Sequence, residues 1–334
     1  MEANQLLSLY TKGERDFRAS DLAAANLIGA IIPYSNLSGS NLKEASLARA
    51  YLERCFLQEA NLNGAFLYGA NLSFVKLKGG RLLGADLTKA DLRGAQMAKV
   101  DLTGAQLSGA ILTWVSLFQA NLAGVNLCGA NLSGINLRSA NLEGANLNWA
   151  NLTGARLSGA NLKGALLNGV KLNKAFLNGL NLEGIDFSGL ELEDVKLSGA
   201  QLSGANLSGT VLSGARMRCT QLEQANLKQA DLHESDLRGG NLIQANLMKT
   251  NLTEADLRDA DLSHTNLNLA NLKGADLSGA NLQGAYLWGT NLDGACLKGT
   301  DLTGASLRNA IISGADLRDA ILTGATMPDG TVCG

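Results

Sequence analysis

A leucine returns at every fifth position through residues 141–165, at Leu142, Leu147, Leu152, Leu157 and Leu162. A small residue stands two places before each, Asn commonly fills the gap, and Gly commonly closes the unit. No ordinary element buries leucines at that spacing. In an α-helix each residue turns by about 100°, so steps of five scatter them around the cylinder. In a flat strand side chains alternate, so an odd step throws successive leucines to opposite faces. A backbone that bends by roughly a right angle after each short straight side points every leucine at one axis, and the chain stacks on itself as a solenoid.

Units such as Ala120-Asn121-Leu122-Ala123-Gly124 and Ala280-Asn281-Leu282-Gln283-Gly284 resemble those of the pentapeptide-repeat family. The resemblance runs from Phe17 to Met327 without a break in frame. It implies an all-β fold: a right-handed quadrilateral parallel β-helix with four pentapeptides per coil. The expected organisation is a short N-terminal capping helix within 1–13, a β-helix of about 16 coils over 14–327, and a C-terminal turn and tail over 328–334. Leu6, Leu7 and Tyr10 recur at helical spacing and Gly13 follows as a stop, so residues 3–12 read as one amphipathic helix over the first coil. A solenoid end exposes core leucines and unpaired edges, which need a cover.

Within the repeat the inward positions are Leu, with Ile32, Met97, Phe187, Met217, Ile312 and Met327 as apolar substitutes. The two residues after each leucine form the corner. Gly favours the second of them, where a type II turn needs φ > 0, and Pro33 suits the first. Between Ala165 and Val195 the small inward slot takes Val170, Leu180, Ile185, Leu190 and Val195, which predicts a locally wider or bent core. Aromatics make up only 4% of the chain although 46% is apolar, as a narrow core of Leu and Ala requires.

The outward residues carry what functional information there is. Tyr34, Phe74 and Trp114 share the second corner position at multiples of twenty, and Ile31, Tyr51 and Ile111 point outward from the adjoining side. An apolar stripe on a polar surface is a candidate protein-binding site. Formal net charge is −2, with about four more basic than acidic side chains in 1–220 and about six more acidic in 221–334. Asp236, Asp256 and Asp276 should stack on one side and repel, offset by Arg238 and Arg258.

Catalysis finds no support. The two histidines, His233 and His264, neither align nor share a Ser, Cys or Asp partner, so no catalytic residue is assigned. There is no GxxxxGK[ST] loop and no calcium nonapeptide, and no metal ligand or cofactor is expected. Cys55, Cys128, Cys219, Cys296 and Cys333 form no CxxC pair, which points to a reducing cytoplasm. No apolar run approaches the roughly 20 residues of a membrane span, and Met1–Tyr10 does not look like a signal peptide.

These features favour a non-catalytic scaffold that binds an unidentified protein partner, without direct nucleic-acid binding. The family resemblance suggests a bacterial regulatory or signalling role, including that of cyanobacterial members, to which Gly13-Glu14-Arg15-Asp16-Phe17 after a short helix is similar. The alternative is a DNA mimic that occupies the nucleic-acid groove of gyrase, like the quinolone-resistance members. That role needs a continuous anionic surface, and interspersed arginines interrupt it here. The uncovered last coil suggests weak end-to-end homodimerisation through strand edges.

Overall fold

Burying successive leucines on one axis requires a bend after each, and hydrogen-bonded turns supply it. The Leu22 carbonyl accepts the Ala25 N–H at 3.1 Å while Ala24 adopts φ +53°, the type II signature. The residue after Pro33, Tyr34, likewise has a positive φ, +59°. Between turns, each short side pairs in parallel with the side twenty residues later, as in Ile31 with Tyr51 and Asp236 with Asp256. Four five-residue sides therefore make one coil. Ladder bonds hold neighbouring coils together, such as Leu147 N–H to the Leu166 carbonyl at 2.8 Å.

A computed structural model describes all 334 residues, Met1–Gly334, in two compact units, Met1–Lys171 and Leu172–Gly334. Each is a right-handed quadrilateral parallel β-helix. In the first unit the pairings run from Asp16 with Asn36 to Asn151 with Lys171; in the second they run from Phe176 with Lys196 to Ser306 with Thr326. The boundary falls among the bulky inward residues. Val170, Leu180 and Phe187 are buried, whereas Ile185 and Leu190 are only half-buried. In the last coil of the first unit Ala160, Leu162 and Ala165 are half-buried too.

Elsewhere the core is closed. Leu142, Leu147 and Leu152 are fully buried, and each faces neighbours of the same kind one coil away. Thr enters the small slot because its hydroxyl finds a backbone acceptor: Thr220 Oγ1 donates to the Met217 carbonyl at 2.7 Å, and Thr250 Oγ1 to the Leu247 carbonyl at 2.6 Å. That satisfies a buried polar atom without widening the coil. Outward Asn side chains do double duty. Asn161 Nδ2 donates to Asn141 Oδ1 at 3.1 Å, and Asn161 Oδ1 accepts the Lys163 N–H of its own turn at 3.1 Å.

One helix is present, α1 (Ala3–Thr11). Leu6 is its buried residue; Leu7 and Tyr10 are half-buried. The Tyr10 hydroxyl donates to the Pro33 carbonyl at 3.3 Å, fixing α1 over the first coil. Gly13, at φ +96°, ends it by donating its N–H to the Tyr10 carbonyl. In the second unit the final residues turn back: Val332 pairs antiparallel with Thr326, and Cys333 N–H donates to the Ala325 carbonyl. Ile312, Leu317 and Leu322 nearby stay half-buried.

Candidate protein-interaction surface

The repeat assigns every outward residue a column, and the first unit concentrates its exposed apolar residues in a few of them. Ile31 and Tyr51 are direct parallel neighbours on one side of the helix and are 63% and 53% exposed. The following corner carries Tyr34, Arg54 and Phe74 in successive coils. Arg54 lies between the two rings, 5.9 Å from the Tyr34 centroid and 5.5 Å from that of Phe74. Its Nη1 also donates to the Tyr34 hydroxyl at 3.4 Å. A guanidinium placed between two aromatic faces makes a cation–π contact with both at little cost in hydration.

Phe74 then leans toward the next coil and covers Gly94, where any Cβ would stand 2.6 Å from the ring. Trp114 covers Gly134 in the same manner. Phe74 and Trp114 each lie over a residue without a side chain one coil later, whereas Tyr34 is followed by Arg54. Trp114 is 77% exposed.

The six residues of the sequence-derived stripe divide into two groups. Ile31, Tyr34, Tyr51 and Phe74 share the first coils. Ile111 and Trp114 belong together further along, because Asn71 and Asp91 intervene between Tyr51 and Ile111 in the pairing order and Gly94 intervenes at the corner. The first group is wider than the stripe. Exposed Ile28 and Tyr68 occupy the corner that leads into the side of Ile31, and Phe66 precedes Tyr68. On the far side of the Tyr34 corner, Phe56 pairs between Asn36 and Lys76, with the Lys76 ammonium 4.8 Å from its ring centroid. These four positions were not anticipated. Arranging the chain in rows of twenty would have revealed them: Phe56 lies two columns from that of Tyr34, and Ile28 and Tyr68 lie three and Phe66 five from that of Ile31.

Beside Phe56 opens a shallow cavity of about 370 Å³, lined by Arg15, Asp16, Arg18, Tyr34, Asn36 and Phe56. Arg18 is committed to Asp16 through a bidentate pair, its Nη2 2.6 Å from Oδ2, which holds the Asp16 carboxyl below the usual carboxylate range. Arg15 is different. Its guanidinium sits 3.7 Å from the Tyr10 ring centroid, and Nη1 donates to the Tyr10 and Glu14 carbonyls at 2.8 and 2.7 Å, with no carboxylate partner.

Nothing comparable to a reaction centre accompanies this surface. Against the expectation that the histidines lack an Asp partner, His233 pairs with Asp231, two residues before it, at 2.9 Å; neither histidine is hydrogen-bonded to a Ser or Cys. No group of three His, Cys, Asp or Glu side chains is arranged to hold a metal. The stacked aspartates of the second unit are instead paired. Arg238 reaches Asp236 at 2.9 Å and Asp256 at 3.1 Å, and Arg258 reaches Asp256 at 2.6 Å.

The family profile for pentapeptide repeats matches segments spread from residue 20 to residue 329. The chain belongs to the pentapeptide repeat family. Among solved members it is similar to HetL, a protein involved in heterocyst differentiation regulation in the cyanobacterium Nostoc, at 26% identity over 100% of both chains with a TM-score of 0.19. It is similar to QnrB1, a plasmid-mediated fluoroquinolone resistance protein, at 18% identity over 67% of this chain and 89% of that one, TM-score 0.29. A pentapeptide repeat protein of the Arabidopsis thaliana thylakoid lumen is 32% identical over 40% of this chain and 71% of its own, TM-score 0.17. No curated protein matches. No helix of this pentapeptide repeat chain is long and apolar enough to cross a membrane.

Proposed function

We propose that this pentapeptide repeat protein is a non-catalytic scaffold in a bacterial regulatory or signalling role, and that it binds a protein partner through the exposed apolar surface of its first unit. The observation that carries this reading is the group Ile31, Tyr51, Tyr34 and Phe74, all at least half exposed, with Arg54 between the Tyr34 and Phe74 rings and Phe74 lying over Gly94. Isolated exposed apolar residues are ordinary, but a supported aromatic group on an otherwise Asn-rich exterior is the composition of an interface centre. Ile111 and Trp114 form a second contact point of the same surface.

The five cysteines are free thiols, which supports a reducing cytoplasm as the setting. Weak self-association through the last coil is part of the reading, supported by half-buried Ile312, Leu317 and Leu322. A DNA mimic is disfavoured, because Asp236 and Asp256 are each neutralised by two arginines and offer no unpaired charge in place of phosphates. Affinity capture from bacterial lysate, comparing the native chain with a Tyr34→Ser, Phe74→Ser, Trp114→Ser variant, tests the scaffold. The variant should lose a specific partner; retention of every captured protein overturns the reading. Purified gyrase should supercoil DNA normally in the presence of stoichiometric chain.

A further inference from the structure

We propose that the partner of this surface presents an extended acidic segment, carboxylates next to an apolar side chain, and that Arg15 and Lys76 each receive a carboxylate while Tyr34 and Phe56 receive the apolar group. The inference rests on the protein-binding reading above and adds the chemistry of what binds. Most charges around the Tyr34 corner are already spent within the molecule. Arg18 is bound to Asp16, Arg54 has Glu53 at 3.5 Å, and Arg93 is locked to Asp91 at 2.6 Å. Arg15 and Lys76 form no ion pair; Arg15 lines the cavity, and Lys76 lies over the Phe56 ring from the following coil.

Arg15 is also held in place before anything binds. Stacking on Tyr10 and two backbone carbonyls fix its Nη1, which leaves the N–H groups of Nε and Nη2 without an acceptor. A guanidinium immobilised in this way gives up little side-chain entropy when it meets a carboxylate, and its planar fork suits that acceptor better than a neutral one. The remaining donors point to the same chemistry. Asn36 Oδ1 is occupied by the Ser38 N–H and hydroxyl, so the free end of Asn36 is its amide donor. Asp16, the acceptor in the cavity, is saturated by Arg18. A site with free donors, filled acceptors and two aromatic walls selects an anion attached to an apolar body. A basic segment would meet two unpaired cations, and the carboxylates beside them, Glu14 and Asp16, already accept hydrogen bonds within the chain.

Selection of phage-displayed random dodecapeptides on the immobilised full chain tests this directly. Enriched sequences should carry Asp or Glu next to an aromatic or aliphatic residue. A synthetic peptide of the enriched sequence should lose about tenfold or more in affinity for an Arg15→Gln, Lys76→Gln variant. It should also weaken as salt rises, and it should bind a Lys163→Gln control as it binds the native chain. Enriched peptides that depend on Tyr34 and Phe74 but are neutral or basic, or that ignore the Arg15 and Lys76 substitutions, overturn the acidic-segment proposal and leave the protein-binding surface standing. Peptides indifferent to Tyr34→Ser and Phe74→Ser, or no enrichment at all, overturn both.

Discussion

Replacing Arg238 by Gln should destabilise the second unit by about 1–2 kcal/mol at low salt, and nearly all of that loss should be electrostatic. The structure supplies the terms. Arg238 bridges two coils: Nη2 lies 2.9 Å from Asp236 and Nε lies 3.1 Å from Asp256, with a third of its side chain exposed. Each partly exposed pair contributes about 0.2–1 kcal/mol. The aspartates belong to directly paired residues one strand apart. Two carboxylates roughly 5 Å apart in a water-like dielectric repel by about 1 kcal/mol once the cation between them is gone. Arg218 still serves Asp236 and Arg258 still serves Asp256, which caps the loss. The Asp256 carboxyl is held below its ordinary range chiefly by its hydrogen bond to Arg258. The stabilisation of a depressed carboxylate is present above its unfolded pKa and disappears as pH falls through its folded value. The cost of Arg238→Gln should therefore be largest near neutrality and fade in acid. Urea unfolding of the native chain, Arg238→Gln, Asp256→Asn and the double variant, in low and high salt, measures the coupling as a cycle. A loss that persists unchanged in high salt and in acid would falsify the electrostatic account and assign Arg238 a packing role.

Three further outcomes follow from the same geometry. Leu147→Ala removes a fully buried side chain from a core that repeats it in every coil, and should cost about 2–5 kcal/mol in chemical denaturation of the native chain against the variant. Gly134→Ala places a Cβ 2.8 Å from the Trp114 ring at φ +66°, whereas Gly124→Ala meets open space at a similar φ. Strain at positive φ costs each about 1–2 kcal/mol, so Gly134→Ala should be the more destabilising and should alone change the near-ultraviolet tryptophan signal; equal effects refute the ring contact. His233 should titrate above the ordinary histidine range because it hydrogen-bonds to Asp231. The pair stabilises below the unfolded histidine pKa and is lost as pH rises through the folded value, so Asp231→Asn should bring the titration down in an NMR pH series.

The inward half of the molecule was legible from spacing because one constraint acts on each residue there. Leu142 and Leu147 must reach the same axis, Ala145 must leave room between them, and the corner must turn with φ > 0. The outward half obeys two neighbours at once, one along the chain and one a coil away, and the five-residue beat reports only the first. Tyr34 and Phe74 could be aligned because they share a column. Phe56 and Tyr68 sit at other places within their pentapeptides and join the group only across a corner. Side-chain reach was invisible for the same reason. The aspartate stack and its arginines could be read from the spacing, but not that Arg238 extends to the carboxylate of the following coil, eighteen residues on in sequence.

A leucine corridor leaves the exterior almost free to vary, so an exterior residue that imposes a requirement on a second one marks where that freedom has been used. An Asn in the outward column accepts a polar or an apolar neighbour, Asn161 beside Asn141 or Leu166 beside Asn146. Phe74 asks for Gly94, Trp114 asks for Gly134, and the pair Tyr34 and Phe74 encloses Arg54. These rings lie on the outside of the corners, while the leucines of the same coils are fully buried inside. The same demand recurs where Trp149 covers Gly169 and His264 covers Gly284. On the protein-binding proposal, the corner of Tyr34 and Phe74 differs from these in joining two rings through Arg54 beside exposed Ile31 and Tyr51.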